Sequence, residues 1–308
     1  MQQLITVCIA TYKRILLLQQ LLESLACMEI PVGYRLEIVI IDNECSDETK
    51  NACRDFSATS GMVVHYFAEE QKGISYVRNR ALREASDETT WLAFVDDDEV
   101  VDAGWLFEMH LAISKYEGDV FTGPVYPKFN AATQDWVKRG GFFAAASEVD
   151  GAFKGSSATN NVIFKYSLIE EFDMKFNLEY NLTGGEDYRF FKSIVKKGGK
   201  IRWVRNAVVY EHISTDRGSV KWLFQRQFRL SNNSHLQYLK EHQKSVGSIF
   251  TVILKSAGRT IEFLCLCLFI PFLWILGRKE LAVKVLQFLA RGLGGFMAIA
   301  NYAYKEYK

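Results

Sequence analysis

Short apolar runs alternate with amphipathic stretches through the first hundred residues of this chain. The runs are rich in β-branched and aromatic residues, which is typical of buried strands. The segments between them repeat apolar residues every three or four positions, as Leu18, Leu21, Leu22 and Leu25 do, and this predicts helices. The predicted elements, strand first and then alternating, are Leu4–Ala10, Ile15–Met28, Leu36–Ile41, a helix from Asp47 to about Phe56, Met62–Phe67, Gly73–Ala85 and Trp91–Val95.

Unbroken apolar strands that alternate with helices predict an α/β fold with a mostly parallel sheet covered on both faces. The pattern beyond residue 100 is less regular. Phe129–Lys154 is rich in aromatic residues and glycine, and it favours an acceptor-binding loop and a satellite core equally. The other elements predicted there are a helix over Asp102–Tyr116, strands over Asp119–Tyr126 and Thr159–Phe164, a strand pair within Ile201–Tyr210 and a long helix over Ser219–Gln243.

Polar residues follow three of the predicted strands, at Thr11-Tyr12, at Asp42 and at Asp96–Asp98. In parallel sheets ligands bind beyond the carboxyl ends of the strands, so these three positions predict one shared site. No G-x-G-x-x-G and no G-x-x-x-x-G-K-[ST] is present in the sequence. A nucleotide at this site would therefore bind without a glycine-rich phosphate cradle.

The three consecutive carboxylates of Asp96, Asp97 and Asp98 are the strongest single feature of the chain. Adjacent anions repel one another, so folding alone does not favour them. Two carboxylates two residues apart in an extended segment point to the same side. Hard oxygen ligands of this kind suit Mg²⁺ or Mn²⁺. The alternative is a solvated acidic turn after a strand.

Two further positions carry candidate chemistry. Glu186 and Asp187 follow Gly184-Gly185 and open a predicted helix. Carboxylates in the first turn complement the helix dipole, so a purely structural role is the simpler interpretation from local sequence alone. His212 follows the last predicted strand, and a single histidine is more often structural than a ligand.

Composition limits the classes of function. The chain has 308 residues and a net charge of +1, which gives no argument for nucleic-acid binding. None of the six cysteines forms a C-x-x-C pair, so we expect free thiols in a reducing compartment. No secretory signal precedes the first strand, and we therefore expect the body of the protein in the cytoplasm.

The last 63 residues combine apolar and basic character, with eight Lys or Arg and three Glu from Val246 to Lys308. Phe263–Leu276 is apolar and uncharged, but it is shorter than the about 20 residues of a straight spanning helix, and Pro271 interrupts it. Leu281–Tyr302 is a second apolar segment with scattered cations. We expect two helices that dip into or lie on an anionic membrane surface. A buried helical hairpin or a protein-interaction face is the alternative.

Taken together, these motifs resemble family 2 glycosyltransferases of the GT-A fold. The resemblance covers about residues 4–215, and residues 216–308 are similar to bacterial enzymes that build exopolysaccharide or lipopolysaccharide on lipid carriers. It implies a GT-A domain over 1–215, a linking helix over 216–245 and a membrane-associated hairpin over 246–308. The motifs that carry it, in order, are TVCIATYKR, IVIIDNECSDET, KGISYVRNRAL, WLAFVDDDE and GGEDYRFF.

The resemblance also implies roles for individual residues. Asp98 would be the main ligand of Mg²⁺ or Mn²⁺, and His212 would complete the metal or diphosphate site. The three aspartates leave open which of them ligates the metal directly. The residues expected to bind the nucleotide are Thr11, Tyr12, Arg14, Asp42, Arg78, Asp96 and Asp97.

On the acceptor side, Asp187 would be the general base, and Glu186 would orient it or the acceptor. One base without a covalent intermediate gives inversion at the anomeric carbon. Processive relatives carry a QxxRW motif, which Gln225 and Arg229 do not match, so we expect one sugar per event.

The expected function is thus an inverting, metal-dependent transfer of one sugar from a nucleotide-diphosphate sugar, most simply a UDP-sugar. The expected acceptor is a lipid-linked saccharide at the cytoplasmic face of the inner membrane, in cell-surface polysaccharide synthesis. A nucleotidyltransferase is one alternative, since it also uses a metal ion bound by carboxylates at a sheet of this kind. It would normally have a glycine-rich basic loop after the first strand. A non-catalytic membrane-docked scaffold is the other alternative.

Overall fold

The computed structural model describes residues 2–144 and 147–305, and these form two compact units. The first unit lies within residues 1–128 and 145–212 and contains most of the strands. The second lies within residues 129–144 and 213–308 and is mainly helical. All the candidate site residues named above belong to the first unit.

The strands of the described residues form two sheets. Eight strands lie in the order β3-β2-β1-β4-β9-β6-β10-β8, and three short ones lie in the order β5-β11-β7. The strands are β1 Gln3–Thr11, β2 Tyr34–Asp42, β3 Val63–Ala68, β4 Thr89–Phe94, β5 Glu99–Val101, β6 Val120–Thr122, β7 Val125–Phe129, β8 Phe153–Lys154, β9 Val162–Lys165, β10 Ile201–Trp203 and β11 Val209–Ile213.

The helices of the first unit cover its large sheet. The α-helices of the whole described chain are α1 Ile15–Cys27, α2 Asp47–Ser60, α3 Ile74–Glu84, α4 Trp105–Lys115, α5 Asp135–Gly140, α6 Leu168–Glu171, α7 Glu186–Lys196, α8 Val220–Glu241, α9 Val246–Leu266, α10 Ile270–Ile275 and α11 Lys279–Ile299. Short 3₁₀ turns lie at Leu178–Tyr180, Asp216–Gly218 and Cys267–Phe269.

The large sheet is parallel from β3 through β4, and only β9 and β8 run against the common direction. Successive side chains of β1 enter opposite cores: Val7 and Ile9 pack with α1 and α4, whereas Cys8 packs with α3 and α7. This two-sided burial is why the strands read as unbroken apolar runs. The prediction of an α/β fold with a mostly parallel sheet is confirmed.

The predicted strand Asp119–Tyr126 is wrong in one respect, because the structure divides it into β6 and β7 in two different sheets. The break falls at Gly123, where an added Cβ would lie 2.1 Å from the carbonyl oxygen of Ala207. Only glycine allows this close backbone approach. The three-stranded sheet that contains β7 also contains β5, which directly follows Asp96–Asp98 in the chain.

The second unit is built on α8 and α11, which pack against each other, with α9 beside α11. Apolar helical structure begins at Val246, well before the predicted segment at Phe263, and runs through Ile275. The charged residues Lys255, Arg259 and Glu262 lie within this stretch. They interrupt the apolar run in the sequence, so the predicted apolar segment began only at Phe263.

Two segments of the described chain are long and apolar enough to cross a membrane by length and composition. The most apolar part of Val246–Ile275 has a mean hydropathy of 1.7 and contains no buried residue, whereas that of Lys279–Ile299 has a mean hydropathy of 1.3 and is half buried. The second of these is therefore in large part a packed helix of the unit. The first presents its apolar side chains to the surroundings.

Candidate active site

The acidic turn after β4, which consists of Asp96–Asp98, lies against the loop after β1, because β1 and β4 are adjacent parallel strands. Thr11 donates a hydrogen bond from Oγ1 to Oδ2 of Asp97 over 2.9 Å. Nη1 of Arg14 lies 2.9 Å from Oδ1 of Asp97 and 3.0 Å from Oδ2 of Asp98. Four of the predicted site residues are thus in direct contact at the ends of two strands.

Arg14 supplies positive charge to this pair of carboxylates. Burial raises the pKa of Asp97, against the opposing effect of Arg14. Burial lowers the pKa of Arg14, but the neighbouring aspartates outweigh it and the pKa is raised overall. Arg14 therefore stays a cation, and the protein itself compensates two of the three adjacent anions.

Asp96, the third aspartate, turns toward α3. Its Oδ1 lies 3.6 Å from Nη2 of Arg78. Burial raises the pKa of Asp96 to about 7, against the charge of Arg78, although 39% of its side-chain surface still meets solvent. Asp96 is the aspartate of the three that is most open to an incoming ligand.

Glu99 is a member of this site that the sequence analysis missed. It is 1% exposed, and its Oε2 accepts a hydrogen bond from the backbone N–H of Asp96 over 2.8 Å. Among the described residues none hydrogen-bonds its other oxygen, Oε1. Burial and the neighbouring Asp96 raise the pKa of Glu99 well above its usual value. The signal was the fourth acidic residue of the DDDE motif, which closes the turn by this hydrogen bond.

Arg78 connects the acidic turn to Glu186. Its Nη1 contacts Oε1 of Glu186, while Nη2 faces Asp96, and its side chain is 7% exposed. Glu186 is 2% exposed, and its Oε2 has no hydrogen-bond partner among the described residues. Burial raises the pKa of Glu186 to about 7, although Arg78 opposes the shift. One buried arginine thus joins a carboxylate of the expected donor side to one of the expected acceptor side.

Asp187 lies at the start of α7 and is partly exposed, unlike Glu186. Its Oδ1 accepts a hydrogen bond from the N–H of Tyr188 over 2.6 Å. Gly184 and Gly185 precede the helix with φ values of 75° and 83°, a backbone conformation that residues other than glycine rarely adopt. The two glycines therefore let the chain turn sharply and present adjacent carboxylates in different environments.

Asp42 is fully buried at the end of β2. Its Oδ1 accepts from the N–H of Glu44 over 2.7 Å, and its Oδ2 accepts from the N–H of Ser46 and the hydroxyl of Tyr66 over 2.9 Å each. In this structure the carboxylate builds the loop after β2. Its predicted contact with the nucleotide base stays a prediction.

Two asparagines shape the loop that leads into α3. Asn43 donates to the carbonyls of Glu69 and Gln71 over 2.6 and 2.9 Å, and it accepts from the N–H of Gly73 over 3.0 Å. Asn181 donates to the carbonyl of Lys72 over 2.8 Å. Sequence reasoning missed both, because isolated asparagines carry no motif.

This loop borders Tyr12, which is 47% exposed. The ammonium groups of Lys13 and Lys72 lie 5.2 and 5.6 Å from the centroid of its ring. A cation over an aromatic face is a favourable arrangement. The edge of the site therefore offers a flat aromatic surface flanked by two positive charges.

A scan against protein families matches residues 6–174 to "Glycosyl transferase family 2". This match spans more than half of the chain. The chain belongs to glycosyltransferase family 2. The predicted family and the predicted enzyme class, a glycosyltransferase, are confirmed.

Two curated relatives are similar to this family 2 chain. The succinoglycan biosynthesis protein ExoM of Rhizobium meliloti (strain 1021) is 25% identical over 300 residues, which is 97% of this chain and 95% of ExoM. The glycosyltransferase GlyA of Streptococcus pneumoniae serotype 4 is 27% identical over 91 residues, which is 30% of this chain and 13% of GlyA. The similarity to ExoM thus extends through both units.

Among solved structures, TarS of S. aureus has a similar fold. Its fragment 1–349 superposes with a TM-score of 0.55 at 15% identity, over 99% of this chain and 93% of the fragment. The same fragment in complex with UDP-GlcNAc gives 0.54 at 16% identity, over 78% of this chain and 67% of that one. This chain spans 40% of the longer TarS structure. At this identity the likeness shows the fold alone, and it agrees with the GT-A architecture.

His212 joins the site through its backbone N–H, which donates to the carbonyl oxygen of Asp98 over 2.8 Å. Burial lowers the pKa of His212, and Lys128 adds to the effect. Its buried Nε2 has no hydrogen-bond partner among the described residues. A neutral imidazole with an unused nitrogen next to Asp98 is a chemically suitable metal ligand.

The described residues contain no group of three or more His, Cys, Asp or Glu side chains already arranged around a metal position. Arg14 takes the place next to Asp97 and Asp98 that a cation would share. The donor set nevertheless suits Mg²⁺ or Mn²⁺, because the turn offers several carboxylate oxygens and His212 adds a buried nitrogen without a hydrogen-bond partner among the described residues. The individual roles of the site residues stay predictions.

Proposed function

We propose that this glycosyltransferase moves one sugar, with inversion, from a UDP-sugar to a hydroxyl group of a lipid-linked saccharide. The reaction would belong to cell-surface polysaccharide synthesis, which the name of ExoM supports. The observation that carries the proposal is the contact of Arg78 with both Asp96 and Glu186. Arg78 thereby holds Asp96, on the expected donor side, close to Glu186, on the expected acceptor side. The transfer needs both sides in one place.

The donor side is the acidic turn and its rim. Tyr12 is open enough to stack on a base, and Lys13 and Lys72 beside it attract the negative diphosphate. Arg14 is partly exposed and can bind a diphosphate oxygen as well as Asp97. The TarS complexes with UDP and UDP-GlcNAc support a nucleotide-sugar donor on this fold.

Asp98 and His212 would hold a divalent cation, with Asp96 on the open side of the turn. The cation, when bound, neutralises charge on the diphosphate leaving group. Arg14 donates a hydrogen bond to Oδ2 of Asp98, so Asp98 would divide its negative charge between the arginine and the cation.

Asp187 would remove the proton from the incoming hydroxyl. The two carboxylates at the start of α7 differ in access: Glu186 is buried on Arg78, whereas Asp187 is partly exposed. A base must approach within hydrogen-bond reach of the proton that it takes, and Asp187 meets this condition better. Glu186 would fix Arg78, and through it the position of Asp96.

The second unit would attach the enzyme to the cytoplasmic face of the inner membrane. Thirteen large apolar side chains of α9, α10 and the adjoining turns are 38–86% exposed, a surface of the kind that marks membrane or protein contacts. Because α11 is half buried, we favour insertion into one leaflet over a spanning hairpin. Four cations, Lys255, Arg259, Arg278 and Lys279, belong to the same stretch of chain and suit anionic headgroups.

The proposal is tested by incubating the full chain with radiolabelled UDP-sugars, Mn²⁺ and bacterial membranes. We expect label in the lipid-extractable fraction, with one UDP released per sugar transferred. Release of labelled sugar 1-phosphate, with the uridylyl group transferred to an acceptor, would instead indicate a nucleotidyltransferase. Label that stays entirely water-soluble with every UDP-sugar would contradict catalysis on a lipid-linked acceptor.

A further inference from the structure

The second unit contains a cavity that the catalytic proposal leaves without a role. Its volume is about 400 Å³, within the range of about 300–1,000 Å³ usual for small-molecule sites. Its wall comes from α5, the 3₁₀ turn before α8, α10 and the start of α11. The side chains that matter here are Thr133, Trp136, Asp216, Ser219, Trp274 and Lys279.

Two indole rings form much of the apolar wall. Trp136 is 8% exposed, and its Nε1 is fixed by a hydrogen bond to Oε1 of Gln134. Trp274 is 41% exposed on α10. Indole rings are large and flat, so they offer apolar surface to the C–H face of a small ring.

The polar part of the wall presents both acceptors and donors. Asp216 is exposed, and its carboxylate has no side-chain partner among the described residues. Ser219 caps α8 by accepting from the N–H of Trp222 over 3.1 Å, which leaves its own hydroxyl proton to donate. Lys279 lies over the Trp274 ring, with 5.7 Å between Nζ and the centroid. An anion would meet the carboxylate of Asp216, whereas a neutral polyol would find partners for its hydroxyls.

We propose that this cavity binds a neutral saccharide ring of the lipid-linked acceptor, and this inference rests on the proposed function. A sugar ring has an apolar C–H face for the indole rings and hydroxyls for Asp216 and Ser219. The cavity thereby holds part of the acceptor other than its reacting hydroxyl. It gives the second unit a part in choosing the acceptor as well as in membrane attachment.

The neighbourhood of the cavity supports a lipid-linked sugar over a free one. Trp274 lies on α10, and the same helix exposes Phe272 by 65% and Ile275 by 83%. A molecule with a sugar joined to a hydrocarbon chain finds both of its surfaces within this one unit. A phosphate would find Lys279 but also Asp216, so we place the phosphate outside the cavity.

The test is saturation-transfer NMR on the full chain with three soluble disaccharides as probes: cellobiose, lactose and maltose. Inorganic pyrophosphate, followed by ³¹P line broadening, is the anion probe. Trp274→Leu and Asp216→Ala alter the cavity, and Phe272→Leu is the matched control, because it removes an aromatic ring from α10 without touching the wall. We expect at least one disaccharide to bind the parent, and binding to weaken about tenfold in both cavity variants, which corresponds to about 1.4 kcal/mol, because Trp274→Leu removes an apolar contact and Asp216→Ala removes a hydrogen-bond acceptor. Phe272→Leu should match the parent.

Absence of binding by all three disaccharides would overturn the inference, as would binding that both cavity variants retain. Line broadening of pyrophosphate that Trp274→Leu and Asp216→Ala alter would overturn it in favour of an anion site. UDP binding is measured on the same samples. If UDP binds but no disaccharide does, only this inference is contradicted. If a disaccharide binds but the chain transfers no sugar, the proposed function is contradicted instead.

Discussion

At the scale of single residues, Arg14 occupies a position that a metal ion would have to share. Its guanidinium bonds both Asp97 and Asp98, so in the absence of a donor these carboxylates already have a counter-charge. A triplet of aspartates therefore does not by itself require a metal for folding. It requires a cation, and the protein provides one in Arg14, whose side chain is 47% exposed.

Arg14→Ala tests this competition. Loss of the two hydrogen bonds should destabilise the fold by about 1 kcal/mol, since Arg14 is partly exposed. Because Asp97 and Asp98 then lack a counter-charge, Mn²⁺ should raise the melting temperature of the variant more than that of the parent. Differential scanning fluorimetry with and without Mn²⁺ measures this, with the exposed Arg35→Ala as the control. Equal Mn²⁺ shifts in all three proteins would contradict a metal position at Asp98.

Glu186 provides a pH signature. Its folded-state pKa of about 7 lies above that of an unfolded glutamate, about 4.3, so the unfolded chain loses this proton first as pH rises. The free energy of unfolding should therefore fall between about pH 4.5 and 7, with a slope of at most about 1.4 kcal/mol per pH unit for this group, and level off above. Glu186→Gln should show a shallower fall. Urea unfolding at pH 5, 6, 7 and 8 measures the difference.

The exposed Glu23→Gln is the control for that series. It should keep the slope of the parent. If Glu186→Gln and Glu23→Gln give the same pH dependence, burial does not raise the pKa of Glu186 in the folded protein.

At the scale of elements, the loop before α3 depends on a glycine. Gly73 has φ 121°, and an added Cβ would lie 2.1 Å from Nδ2 of Asn181. Gly73→Ala should displace Asn181 and with it the loop that carries Lys72, and donor affinity should fall about tenfold or more, which corresponds to about 1.4 kcal/mol. Gly61→Ala is the matched control, because Gly61 also has positive φ but nothing within 4 Å.

Gly61→Ala should cost stability of about 1 kcal/mol without a change in donor affinity. Calorimetric titration with UDP and urea unfolding separate the two effects. Equal donor affinities for Gly73→Ala and Gly61→Ala would show that this loop does not shape the donor site.

Much of the element order could be predicted from the sequence, because buried parallel strands read as apolar runs whatever surrounds them. β1, β2 and β4 were predicted close to their observed positions for this reason. The division between β6 and β7 could not be predicted, since it arises from the approach of Ala207 to Gly123 across 84 residues of chain. α9 was predicted too short because charged residues on one side of a helix interrupt the linear pattern without ending the helix.

At the scale of the whole molecule, the sequence predicted which strand ends hold candidate chemistry, and the structure adds how these residues contact one another. Residues 11, 14, 97 and 98 meet because adjacent parallel strands end together. The contact between Arg78 and Glu186 joins positions 108 residues apart and follows from the packing of α3 and α7 on the same face of the sheet. No local pattern encodes a contact of that kind.

The exposed apolar segment gives a prediction for the whole chain. Leu268 and Phe272 are 77% and 65% exposed, so Leu268→Glu with Phe272→Glu should leave the fold intact and abolish sedimentation with anionic vesicles. Val32→Glu, at a fully exposed apolar position in the first unit, is the control and should sediment like the parent. Vesicle binding by the double variant that equals the parent would remove the membrane role of this surface.

In the proposed reaction, Asp187 removes a proton from the acceptor hydroxyl while the acidic turn holds the donor. The most direct test is Asp187→Asn, with sugar transfer and UDP-sugar binding measured on the same preparation. We predict that transfer falls at least about a hundredfold, as is typical for loss of a general base, while the dissociation constant for the UDP-sugar stays within about twofold. Transfer by Asp187→Asn at the rate of the parent would contradict the account.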